Sequence, residues 1–221
     1  MARHRLRFQK EGRAIYLSHL DLMHTMQRAF VRANIKIRHT EGFNPHPYIS
    51  VALPLSVGVE SKAELLDFEL ADDTPLDSLP MLLTAKMPQG IIVQEAYEAQ
   101  SKVKDISWLR LTAALEYDTQ EDAADVAAKL TALFAQKEIK VKKRTKKKEE
   151  AEIDIAPLIR ELTFTPAPRK ITVEALVAAQ NPPLSPSLLL AAIEQHTAEF
   201  TPDFAAFTRL ELYDKNMRIF R

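Results

Sequence analysis

YLSHLDLMHTMQRAFVRANIKIRHTEGFNPHPYISVALPLSVGVES, residues 16–61, carries a helix, two strand-like runs and a loop of turn formers in close succession. Ser18 followed three residues later by Asp21 has N-cap spacing, with the carboxylate in the first turn where the helix dipole favours it. The spacing predicts a helix over about 20–33, with Leu22, Met23, Met26, Ala29, Phe30 and Ala33 on one apolar face. Asp21, His24, Thr25, Arg28 and Arg32 recur at three and four residues on the other face and form a polar stripe. Ile35-Lys36-Ile37-Arg38 alternates and reads as a strand, as does Tyr48 to Leu53 beyond the loop Glu41-Gly42-Phe43-Asn44-Pro45-His46-Pro47.

Working outward, His4 to Phe8 alternates as a half-buried strand before the helix, and Ala14 to Leu17 either extends it or leads into the helix. Ala63 to Leu70 is a further strand, with Leu66, Phe68 and Leu70 inward and its acids outward. A helix from about Leu76 to Met87 ends at Pro88-Gln89-Gly90, and Ile91 to Ala96 is a last strand. That order, βαββαβ, is the ferredoxin-like one. The remainder repeats it. Trp108 to Tyr117 is a strand, Glu121 to Gln136 a helix, and Glu138 to Lys143 a strand. Ile153 to Thr165 and Lys170 to Ala178 follow as strands, then a helix opening at Ser185-Pro186 and a closing strand Phe207 to Tyr213. The expected fold class is α+β, two tandem ferredoxin-like (βαββαβ) domains, at 1–102 and 103–221. Crossover helices are too few for one doubly wound sheet.

The chain has no cysteine, which excludes disulfides, thiolate zinc sites, a cysteine nucleophile and a cysteine-ligated iron–sulfur cluster of its own. Four glycines form neither GxGxxG nor GxxxxGK[ST], so the common phosphate-cradling loops are absent. No apolar run reaches the roughly 18 residues of a membrane span, and the basic start MARHRLRFQKEGR has no apolar stretch behind it, so a cytoplasmic chain is expected. Net charge is zero but unevenly spread: residues 1–50 carry nine Arg and Lys against three acids, and residues 60–77 seven acids against one Lys. A basic face beside an acidic one points to an anionic partner on one side, and solvated charge on both is the competing reading.

Five of the six histidines lie at or near this basic segment: His4, His19, His24, His39 and His46. Imidazoles from a helix and a loop suit metal binding, proton transfer or recognition of an anion. No HxxxH or HxH pair occurs, so no metal set is assigned. Arg28 and Arg32, one turn apart, can grip phosphate with forked donors, or can belong to an exposed ion network. Phe43 and Tyr48 flank Asn44 and His46 and suit stacking of unpaired bases, or Phe43 plugs the core beneath the loop. The candidate substrate-binding set is therefore His19, Asp21, His24, Arg28, Arg32, Phe43, Asn44, His46 and Tyr48, with no catalytic residue assigned. A second basic tract, Lys140 to Lys148, reads either as a phosphate contact or as a charged hairpin tip, and the adjoining Glu149, Glu150 and Glu152 favour the latter.

YLSHLDLM, QRAFVRANI, EGFNPHPYIS, LPLSVGVES and AELLDFEL, in that order, resemble the radical SAM-linked proteins, which occur beside or fused to radical S-adenosylmethionine enzymes. The likeness is dense over about residues 3–71, and KKRTKKKEEAEIDIAPLI resembles the family's second half. It implies an accessory protein to a separately encoded radical SAM enzyme, presenting RNA or another anionic substrate, with no membrane involved. The iron–sulfur cluster and S-adenosylmethionine would belong to that partner, with no cofactor in this chain. Two other readings remain open: a metal- or histidine-dependent enzyme acting on RNA, and a structural scaffold docking through its acidic segment.

Overall fold

A computed structural model describes residues 3–118, 122–144 and 150–221. The chain divides into two compact units, Met1–Asp105 with Ile219–Arg221, and Ile106–Arg218. Both are α+β, and every strand pair within them is antiparallel. Four α-helices occur among the described residues, none long and apolar enough to cross a membrane.

In the first unit, β1 (His4–Lys10), α1 (His19–Arg32), β2 (Ile49–Ala52), β3 (Glu60–Phe68), α2 (Leu79–Thr84) and β4 (Ile91–Glu98) follow in sequence. Their pairings give the strand order β4-β1-β3-β2. Leu6 and Phe8 of β1, Leu66 and Phe68 of β3 and the apolar face of α1 close one core. Leu22, Met26, Ala29 and Phe30 are buried on that face, as a 3.6-residue period requires.

Several expectations are corrected here. Ala14 to Tyr16 does not extend β1: Gly12–Tyr16 is a 3-10 turn that leads through Leu17 and the Ser18 cap into α1. The run Ile35–Arg38 joins Leu70 by a single bridge at Ile37 and forms no strand. Arg38 N donates to Glu69 O and Ala71 N to Lys36 O within that bridge, and on the other side Tyr48 N donates to Arg38 O. The helix expected to reach Met87 is a 3-10 turn at Leu76–Ser78 followed by the short α2, with a proline in its first turn.

The acids of β3 do not point to solvent either. Register sets Arg5 opposite Asp67. The guanidinium grips that carboxylate with Nε at 2.6 Å and Nη2 at 3.0 Å, Nη2 also donating to Ser101 O. Arg5 is 0% and Asp67 6% exposed. The C-terminal segment covers the pair: the Phe220 ring lies 4.7 Å from the Arg5 guanidinium, and Arg221 pairs with Glu95 at 3.0 Å. Beside it, burial holds the Tyr97 phenol above its ordinary range.

The second unit runs β5 (Ile106–Glu116), α3 (Ala123–Phe134), β6 (Lys140–Arg144), β7 (Glu150–Asp154), β8 (Ile159–Ala167), β9 (Lys170–Ala178), α4 (Pro186–His196) and β10 (Phe204–Asp214). Its main sheet has the order β10-β5-β9-β8. The single strand expected from Ile153 to Thr165 is two. Asp154 Oδ1 accepts from the backbone N–H groups of Ile139 and Ala156, and Pro157 sits in the 3-10 turn that separates β7 from β8. β6 and β7 thus form a separate hairpin inserted between α3 and β8. Gln195 of α4 treats its edge as a strand would, its side-chain amide accepting from Lys142 N at 2.9 Å and donating to Lys142 O at 3.1 Å. The centre of the basic tract, Thr145 to Glu149, lies outside the described residues.

Candidate functional site

The site is built by the way α1 ends. Asn34 takes φ +57°, the left-handed conformation that asparagine tolerates better than most side chains. Asn34 N donates to Val31 O and Ile35 N to Phe30 O, both at 3.0 Å, the paired bonds of a Schellman cap. Ile35 and Phe30 then meet in the core. The chain after Asn34 is thereby turned back beside the helix, and a groove of about 600 Å³ opens between them.

Arg28 and Arg32 line this groove from the helix, and Lys36 and His39 from the returning segment; no aspartate or glutamate does. Among the described residues Arg28 has no carboxylate within ion-pair distance. Arg32 Nη2 donates to Lys86 O at 2.7 Å, which ties the helix end to the chain beyond α2 and fixes one guanidinium nitrogen. Lys36 lies near Asp72, whose carboxyl is held below its ordinary range first by the Thr74 hydroxyl and further by this lysine. His39 Nδ1 lies 2.9 Å from Ile37 O, so Nδ1 carries the proton there and the ring is oriented by its own backbone.

The other sequence-derived residues lie elsewhere. Asp21 and His19 sit in the first turn of α1, where Asp21 is engaged with Ser18: Ser18 Oγ donates to its carboxylate at 2.6 Å and accepts from Asp21 N. His24 is exposed one turn further on. Phe43, Asn44 and His46 belong to a loop closed at its base, where Thr40 N donates to His46 O and His46 N to Thr40 Oγ1. Phe43 is fully exposed, so it does not plug the core. Tyr48 lines a different cleft of about 400 Å³ with Arg3, Asp67 and Glu69, and the Arg38 guanidinium lies 5.1 Å from its ring. Among the described residues no three histidine or carboxylate side chains gather to hold a metal ion.

The structure therefore joins Arg28 and Arg32 but not the full set of nine. It adds Lys36, which the sequence places in a strand, and His39, which the sequence names among the candidate histidines but not among the nine. Part of the charge asymmetry is also neutralised within the unit, through Arg5 and Arg3 on Asp67 and Arg38 on Glu69. The Arg5–Asp67 pair follows strand register, whereas in the groove the cations line a cavity without acids.

A family model described as "Uncharacterized protein conserved in bacteria (DUF2344)" matches residues 3–186. No curated protein matches. Among solved structures, the crystal structure of an unknown protein from Galdieria sulphuraria aligns over 94% of this chain and 98% of that one, at 10% identity and a TM-score of 0.27.

Proposed function

The chain belongs to the family described as uncharacterized protein conserved in bacteria (DUF2344), and we propose that it is a recognition protein that binds an anionic substrate in the groove beside α1. One observation carries this: four basic side chains line a cavity without an acid among them. A guanidinium binds a carboxylate or phosphate with two parallel, charge-assisted hydrogen bonds, and because Arg28 and Arg32 are exposed the affinity is expected to fall with salt. Both units are read as ferredoxin-like. The orders β4-β1-β3-β2 and β10-β5-β9-β8, each with two helices, support that, the β6–β7 hairpin being an insertion in the second.

The partnership with a separate radical SAM enzyme rests on the resemblance of the EGFNPHP-containing segment. The exposed Phe43 at that loop's tip supports a protein contact there, since a solvent-facing aromatic is a common anchor of interfaces. RNA enters through the same phosphate chemistry. Stacking on the sheet face has little support, because the Arg5 and Asp67 side chains on that face of the first unit are buried.

The test is fluorescence anisotropy with labelled single-stranded RNA and labelled polyphosphate, together with co-purification of a radical SAM protein. Arg28→Glu is expected to weaken anion binding about tenfold or more, since it removes a charge-assisted bond and adds repulsion. Phe43→Ala is expected to leave anion binding unchanged and to reduce co-purification. Wild-type protein that binds neither anion at low salt ends the reading.

A further inference from the structure

We infer that the groove beside α1 takes a small amphiphilic anion: a molecule with an aliphatic body of several carbons and a carboxylate or phosphate head. This rests on the anion-recognition reading above and adds the chemistry of the rest of the ligand. The walls between the cations are mainly aliphatic, formed by Val31, Ile35, Ile37, Pro47 and Ile49, with Gln27 and Asn34 as the uncharged polar groups. The one phenyl ring lining the groove, that of Phe30, is 1% exposed and packs on Phe68 at 5.3 Å between ring centroids. The flat groups left open to a nucleobase are the His39 imidazole and the guanidinium groups of Arg28 and Arg32, so it is the aliphatic walls that favour a hydrocarbon body.

Val31 decides the matter further. It is 77% exposed on the helix wall, an aliphatic side chain left to solvent between Arg28 and Arg32. A hydrocarbon body laid along it would remove that surface from water while its head reached a guanidinium. The volume of about 600 Å³ lies within the range of small-molecule sites. Arg28 supplies forked donors to a planar or tetrahedral acid group, and Lys36 a mobile point charge from the opposite wall. The charge complementarity selects an anion, and the aliphatic walls select its body.

Isothermal titration calorimetry tests this with butyl, hexyl and octyl phosphate, octanoate, 1-octanol, inorganic phosphate and a uridine oligonucleotide. The proteins are wild type, Arg28→Gln and Val31→Asp, both substitutions being at exposed positions and checked for folding by circular dichroism. Affinity is expected to rise about fourfold per methylene along the alkyl phosphates until the groove is filled. Arg28→Gln is expected to weaken octyl phosphate about tenfold, and Val31→Asp to abolish its binding. Octanoate against octyl phosphate tells which acid head is preferred. Affinity that ignores chain length, or octanol binding as tightly as octyl phosphate, overturns the inference. An oligonucleotide that binds and loses affinity in Arg28→Gln, while octyl phosphate does not bind, overturns the amphiphile and leaves the anion reading standing. If no anion binds, both fall.

Discussion

Gly90 shows how a single atom constrains the first unit. Its φ is +94°, and a Cβ there would lie 2.2 Å from the Glu11 carbonyl oxygen, while Glu11 N already donates to Gly90 O at 2.8 Å. Gly90→Ala is therefore expected to destabilise by more than about 2 kcal/mol, read from the urea midpoint. Gly12→Ala, at φ +56° with nothing within 4 Å, is expected to cost only about 1 kcal/mol. Equal losses would contradict the account. In the sequence both are merely glycines in turns, because the neighbour that separates them is brought close only by folding. The EGFNPHP loop illustrates the same limit. Its turn chemistry is legible, but whether Phe43 points into the core or out of it is not.

At the scale of elements, the helix α1 is legible nearly to its ends, since apolar spacing, the Ser18 cap and the first-turn Asp21 agree. The course of the chain beyond Ala33 is not. Periodicity cannot report the sign of φ at Asn34, and that sign sends the chain back along the helix instead of into a strand. Asn34→Val, a β-branched residue forced into the left-handed region, is expected to lower stability by about 1–2 kcal/mol and to weaken anion binding as the Lys36 wall loosens. Asn34→Gly is expected to retain both. Thermal melts and the anisotropy titration read the two effects separately, and a valine variant as stable as wild type would mean the cap is not what sets the groove.

Across the first unit, the cross-strand pair Arg5–Asp67 joins residues 62 apart and is closed over by Phe220. A sequence with its bases early and its acids later looks segregated. Register is what makes the two halves meet, and register is fixed only once the strands are paired. Asp67→Ala leaves a fully buried guanidinium without its carboxylate and is expected to cost about 3–5 kcal/mol, whereas the double replacement Arg5→Met, Asp67→Leu is expected to lie close to wild type. Chemical denaturation of the three proteins decides it, and a harmless Asp67→Ala would show the pair to be worth nothing.

The groove's claim to bind anions is tested most directly by two-dimensional ¹H–¹⁵N NMR during titration with pyrophosphate. Amide shifts are predicted to concentrate in residues 27–39 and 48–49, and to vanish in Arg28→Glu. Shifts centred instead on residues 41–46 or in the second unit, or no shifts at all, would contradict it.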